Sequence, residues 1–304
     1  KGVVMLRGSF LFGILLVFGC SGLVFGDLAY PFGPASEGSS LNYGRGRAFD
    51  VRHIRLDVDV DVEEERVWGT ASHTLAPVGA AISEVVLDSV GLDIESVALA
   101  DGTGLDFEVT EEQLRIYLAE PAPAGEVVTV VVAYGVTRPE KGMHFRNRRM
   151  GYAAAETQAW TQGEAEDSRY WFPCFDYPNE RATTEVLARV RGDLRAMSNG
   201  RLLEVTEDRG RGTKTYHWLQ DKPHVAYLVS LVGGPFVEVE MERDGVPLYY
   251  YLLPGQEEMG AVTYQNTGDM MGFFEDYIGV DYPWERYSQV TVVDFIAGGM
   301  ENMA

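Results

Sequence analysis

Residues Ile54, Leu56, Val58, Val60 and Val62 alternate with Arg55, Asp57, Asp59 and Asp61. A period of two fits a strand with one buried and one wet face; on a helix the same residues would spread around the whole circumference. Short apolar runs return at close intervals, at 67–75, 85–87, 96–99, 114–118, 127–134, 185–191, 216–219 and 225–232. Turn-forming stretches punctuate them, DGTG at 101–104 and PAPAG at 121–125. No stretch of helical period precedes about residue 255. Residues 49–243 are therefore expected to form a mostly β domain, an antiparallel sandwich or saddle-like pair of sheets. His53 and His73, inside alternating runs, are expected on exposed sheet faces.

The pattern then changes. YYYLL at 249–253 reads as a strand and Pro254-Gly255 as a turn. Met259, Val262, Met270, Phe273, Phe274 and Tyr277 recur at helical spacing and predict a helix over 257–278. DYPWERY at 281–287 ends it, and SQVTVVDFI at 288–296 predicts another strand. Residues 244–304 thus read as the opening of an α+β domain that the sequence does not complete.

The first 26 residues are not read as part of the fold. Arg7 precedes an apolar run from Phe10 to Phe18, the shape of a secretion signal. VFGC at 17–20 resembles a bacterial lipoprotein box with Cys20 as the lipidated residue; ordinary cleavage before Asp27 and an uncleaved anchor are the alternatives. The expected location is outside the cytoplasm: periplasmic, outer-membrane lipoprotein or extracellular, with membrane attachment only by anchor or lipid. Residues 27–48, rich in Gly, Pro and Ser, read as a linker. The 46 Asp and Glu against 25 Lys and Arg give a net charge of −21, which repels nucleic acid and favours cationic ligands. Two cysteines, Cys20 and Cys174, make no disulfide framework, and Cys174 in its aromatic run is expected to be a small buried residue.

Three segments stand apart: WTQGEAEDSRYWFPCFDYPNERATTE at 160–185, KPHVAYLVSLVGGPF at 222–236, and GGMEN at 298–302. Together and in this order they resemble the zinc aminopeptidases of the aminopeptidase N and leukotriene hydrolase type, from about residue 50 onward. A given five-letter string arises by chance in a chain of this size only about once in ten thousand. The resemblance implies a β-rich domain leaning on a thermolysin-like catalytic domain. It implies a peptide substrate with a free N-terminus, and one zinc ion that polarises the scissile carbonyl.

The chemistry of those segments can be argued from the residues. An aminopeptidase must accept a free α-ammonium and reject an uncharged amide, and opposed carboxylates discriminate between the two. Glu301 and Glu164 are the candidates; a bound ammonium would relieve their mutual repulsion. Gln162 can donate and accept hydrogen bonds at the same place. Gly298 and Gly299, without Cβ atoms, allow a peptide backbone to approach closely. By resemblance, that edge pairs with the substrate, Gln162 and Met300 line the first side-chain pocket, and Asn302 holds the turn. Glu166 and Asp167 read as solvated acids, and Arg169 as a structural partner of Asp176.

A zinc protease of this type needs His-Glu-x-x-His on a helix. None of the five histidines, His53, His73, His144, His217 and His224, precedes a Glu, and no two stand four apart. The expectation is an amine-recognition half without zinc ligands or catalytic residues, inactive alone, cut off inside its catalytic domain. Two rivals remain open: a non-catalytic peptide-binding scaffold of the same fold, and a bifunctional hydrolase like the leukotriene branch. That branch has glutamine where Glu164 stands.

Overall fold

The alternation at 54–62 becomes the long strand β1, Phe49–Asp61. Leu56 and Val58 are fully buried on one face, and Arg55, Asp57 and Asp59 line the other. A computed structural model describes residues 44–304. The leader expected at 1–26, Cys20 and the linker before Gly44 lie outside the described residues.

The strands that follow are β2 Arg66–Pro77, β3 Ile82–Asp88, β4 Asp93–Leu99, β5 Asp106–Val109, β6 Gln113–Ala122 and β7 Val128–Thr137. Next come β8 Gly142–Arg146, β9 Gln158–Gln162, β10 Ala182–Arg191, β11 Arg195–Ser198, β12 Arg201–Asp208 and β13 Thr213–His224. The last are β14 Leu231–Gly234, β15 Val237–Arg243, β16 Val246–Leu252 and β17 Tyr287–Val290. A seven-stranded sheet runs β12-β13-β10-β1-β2-β7-β4, and a four-stranded sheet runs β11-β14-β9-β8. Two three-stranded sheets run β3-β6-β5 and β15-β16-β17. Pairing is antiparallel except for β1 with β10 and β16 with β17. The antiparallel β fold expected for the first part holds, with β1 inserted beside a strand far away in sequence.

Leu56, Leu75, Leu87, Leu114, Ile116, Trp171 and Trp218 are at most 1% exposed and form one core with the inner faces of these sheets. Each such side chain contributes about 1.5–3 kcal/mol through burial. The acidic face of β1 is laced rather than bare. Arg189 reaches Asp59 at 2.5 Å and Asp57 at 3.4 Å, and Arg55 reaches Glu185 at 2.6 Å. Residues Arg45 and Arg47, at the end of the expected linker, are already tied to Asp88 and Glu180.

Four expectations are corrected. His73 is fully buried, because its register on β2 against β1 turns it to the inner face. The predicted helix over 257–278 is two helices, Glu257–Tyr264 and Thr267–Ile278, broken at Gln265 and Asn266. The run at 225–232 is a 3-10 turn, Ala226–Leu228, followed by β14. The strand expected over 288–296 stops at Val290, where pairing with β16 ends, and the chain continues without regular structure. The division expected at 243/244 falls in the tight turn between β15 and β16, where Asp244 and Gly245 both have positive φ, 50° and 83°.

A candidate peptide-amine site

Strand β9 is buried along its whole length, between β14 and β8. An interior strand with glutamines at both ends has to satisfy polar groups in a dry place, and both amides are spent on one target. The Gln158 carbonyl oxygen accepts from the Val293 amide at 3.1 Å. The Gln162 amide nitrogen donates to the Met300 sulfur at 3.5 Å. Two further buried amides do the same: Asn199 donates to the Met303 carbonyl at 2.6 Å, and Gln220 to the Ala304 carbonyl at 2.5 Å. Phe295 packs edge-on against Trp160 at 5.2 Å, and Asp294 is bound by Arg146 and Tyr152. The segment carrying GGMEN is thus held by side chains of the β-rich part.

Immediately after β9 the chain makes a tight turn closed by the Asp167 amide on the Gly163 carbonyl, 2.8 Å. Glu164 lies on this turn, followed by a cis peptide bond to Ala165. Gly163 is required here: a Cβ would lie 2.5 Å from the Tyr227 carbonyl oxygen and 2.6 Å from Ser168 Oγ. Gly163→Ala is therefore expected to displace the turn and destabilise the fold by about 1–3 kcal/mol, read as a lowered urea midpoint. An unchanged midpoint would show that the turn shifts freely.

The expected residues are brought together in part. Gln162 touches Met300. Glu164 follows two residues after Gln162, and Glu301 one residue after Met300. Both carboxylates are exposed and have no hydrogen-bond or ion-pair partner among the described residues. The Gln162 carbonyl oxygen is buried and equally unpartnered. Gly298 and Gly299 face open space: a Cβ at either would meet nothing within 4 Å. Packing among the described residues does not demand glycine there. A cavity of about 310 Å³ borders Gly298, Gly299 and Met300, with Trp160, Tyr251 and Arg286 among its other walls. Glu164, Glu301 and Gln162 are not among its lining residues.

Behind the Glu164 turn stands a buried charged network. Asp176 accepts from the backbone amide and Nε of Arg169 at 3.1 and 3.2 Å, as the sequence suggested. Its own amide donates to Asp88 at 2.8 Å, and Arg45 reaches Asp88 at 2.5 Å. Burial pushes the Asp176 carboxyl up to about 6, against the pull of Arg169. Cys174 is fully buried, and its thiol is pushed well up, first by burial and then by the nearby carboxylates. Glu166 pairs with Arg169 at 2.6 Å and Asp167 with Lys141 at 3.4 Å, so neither expected solvated acid is idle.

Sequence reasoning missed Gln158, Asn199, Gln220 and Arg286. Gln158 and Gln220 sit at inward positions of strands among buried residues, and that is the signal that was there to find. Asn199, between Ser198 and Gly200, and Arg286, between Glu285 and Tyr287, carry no such signal.

The described residues thus form a β-rich part with a short helical extension, in which TQGE meets GGMEN. The Peptidase M1 N-terminal domain pattern matches residues 49–228, and the Peptidase family M1 domain pattern matches 262–304. The chain belongs to peptidase family M1. It is 28% identical over 258 residues to aminopeptidase 2, mitochondrial, of Saccharomyces cerevisiae, covering 82% of this chain and 27% of that one. It is 30% identical over 209 residues to aminopeptidase M1 of Arabidopsis thaliana, covering 68% of this chain and 23% of that one. The chain thus spans about a quarter of the length of these relatives. The fold also matches the M1 zinc metallopeptidase of Deinococcus radiodurans, with a TM-score of 0.71 at 23% identity, covering 82% of this chain and 58% of that one.

Proposed function

We propose that residues 44–304 supply the free-amine recognition site of a zinc-dependent aminopeptidase that removes N-terminal residues from peptides. The observation that carries this reading is Gln162. Its amide ties the TQGE turn to the GGMEN segment, while its buried carbonyl oxygen is left without a donor. An ammonium supplies several donors and a positive charge, which suits the two exposed, unpartnered carboxylates, Glu164 and Glu301. Gly298 and Gly299 leave room for the peptide backbone, and Met300 would border the first side chain. A net charge of −21 adds a long-range attraction for cationic peptides. The leader-like residues 1–26 support export of the protein, with lipidation at Cys20 as its route to a membrane surface.

The described residues do not fit a zinc ion. No group of three His, Cys, Asp or Glu among them could hold one. The nearest approach is Glu185, shared by His53 at 3.5 Å and His217 at 2.7 Å, but the Arg55 guanidinium already occupies that carboxylate at 2.6 Å. The metal of the intact enzyme is therefore assigned to residues other than 44–304, and the 304-residue chain is expected to bind peptides without cleaving them.

The test is titration of the chain with Ala-Ala-Ala and its N-acetyl derivative by calorimetry. The free amine is expected to bind at least about tenfold more tightly, since a charge-assisted hydrogen bond contributes about 1.5–3 kcal/mol. Glu301→Gln and Glu164→Gln should each remove most of that difference. Equal affinity for the two peptides would overturn the reading.

A further inference from the structure

Arg286 is 8% exposed, yet no carboxylate pairs with it among the described residues. Buried charges are ordinarily paired, because removing one from water without a partner costs several kcal/mol. Its neighbours are aromatic: the guanidinium lies 4.1 Å from the centre of the Tyr249 ring, 4.9 Å from Trp218 and 5.8 Å from Tyr251. Its hydrogen bonds go to neutral hydroxyls. Nε and Nη2 donate to Ser288 Oγ at 2.9 and 2.7 Å, and Nη2 donates to the Tyr251 hydroxyl at 2.9 Å. The Nη1 group donates to nothing among the described residues. Glu285 is engaged with Arg201 at 3.1 Å, and Glu238 with Arg195 at 3.4 Å and with the Tyr251 hydroxyl.

This guanidinium borders the cavity of about 310 Å³ that Gly298, Gly299 and Met300 also line. Ser288, accepting from Arg286, keeps its own hydroxyl hydrogen free to donate and borders the same cavity. Tyr251 borders it too, but its hydroxyl is also drawn to the Glu238 carboxylate. The Ser230 hydroxyl lies there too, while the Ser198 hydroxyl is spent on the Ser230 carbonyl at 2.7 Å. A cavity bordered by a cation that no carboxylate pairs, with hydroxyls beside it and no Asp or Glu among its lining residues, suits an anion. We propose that Arg286 and Ser288 form a carboxylate-binding subsite for the peptide, so that the protein prefers peptides bearing a negative charge near their N-terminus. This rests on the reading of the glycine segment as the peptide's path. The charge has two possible sources, an acidic side chain and the α-carboxylate of a very short peptide.

Four ligands separate the outcomes by calorimetry on the 304-residue chain. Ala-Glu-NH2 carries only a side-chain carboxylate, Ala-Gln only an α-carboxylate, Ala-Gln-NH2 neither, and N-acetyl-Ala-Glu-NH2 no amine. The subsite predicts that one or both carboxylate peptides bind about tenfold more tightly than Ala-Gln-NH2. Which of the two gains identifies the source. Arg286→Met should erase that gain and leave Ala-Gln-NH2 unchanged; Arg286→Lys, retaining the charge, should keep part of it. The wild-type comparison stands even if a variant fails to fold. Equal affinities for Ala-Glu-NH2, Ala-Gln and Ala-Gln-NH2 overturn the subsite while leaving amine recognition intact. Equal affinities for Ala-Glu-NH2 and its acetyl form, with a carboxylate preference retained, overturn amine recognition and leave the subsite. No binding of any of the four up to millimolar concentration overturns both.

Discussion

Arg169→Met is expected to destabilise the chain by about 3–5 kcal/mol in urea unfolding at pH 8, the range for leaving one charge of a buried pair alone. Asp176 is 1% exposed at its side chain and receives the Nε of Arg169 at 3.2 Å, while the neighbouring Asp88 is 4% exposed. Without the guanidinium, two carboxylates share a dry site with only Arg45 to balance them. Asp176 already sits at about 6, raised by burial and held down by Arg169. Removing Arg169 raises it further, so the variant should regain stability as the pH falls and the proton is taken up. Adding Asp176→Asn to Arg169→Met should recover much of the loss, because the buried charge goes with its partner. An Arg169→Met chain equally stable at pH 8 and pH 5 would show that the pair is not acting as a buried ion pair. The network also backs the Glu164 turn, so the double variant is a control for peptide binding: stability can be restored while the turn has lost its support.

The second large effect is loss of stability in acid through two buried histidines. His73 is fully buried, neither ring nitrogen closes a hydrogen bond among the described residues, and burial lowers its pKa to about 4 despite a small upward pull from the Pro173 carbonyl. His224, bonded to Thr184 at 2.9 Å, is likewise lowered to about 4 by burial. Unfolded, each titrates near 6.5. The folded state therefore binds fewer protons between pH 6.5 and 4. The stabilising contribution is fully present above 6.5 and is lost as pH falls through that window. The loss is on the order of 3 kcal/mol per histidine. Asp176 works the other way: its raised value favours the folded state as pH falls from about 6 toward 3.8, which offsets part of the loss. His73→Leu should flatten the pH dependence of urea stability between 6.5 and 4; at pH 7.5 the only polar contact it gives up is the one with the Pro173 carbonyl. An identical slope in wild type and variant would assign acid sensitivity to other groups.

The β-rich architecture was legible because alternation reports burial directly: Leu56 and Val58 go inward, and Arg55 and Asp57 outward. His73 shows where that reading stops. Its neighbours Ser72 and Thr74 are polar too, so the alternation carried no contrast to say which face was wet, and only pairing with β1 decides it. The helix over 257–278 was visible, but the break at Gln265 and Asn266 was not, since neither residue is a strong breaker. At the site, TQGE and GGMEN are far apart in sequence, and their meeting through Gln162 and Met300 was expected by resemblance alone. The role of Arg286 was invisible, because a single arginine in YPWERY carries no mark of being unpaired.

The parallel placement of β1 against β10 sets a timetable for synthesis. His53 bonds across to Thr183, 130 residues later. At about 5–20 residues per second, the ribosome needs on the order of ten seconds to deliver that partner. Until then β1 and β2 form only a hairpin with an open, half-apolar edge. Such an edge is a docking line for other strands, including those of a neighbouring nascent chain. The central sheet is thus a late-closing structure, and its folding rate should be set by this long-range closure rather than by the local hairpins.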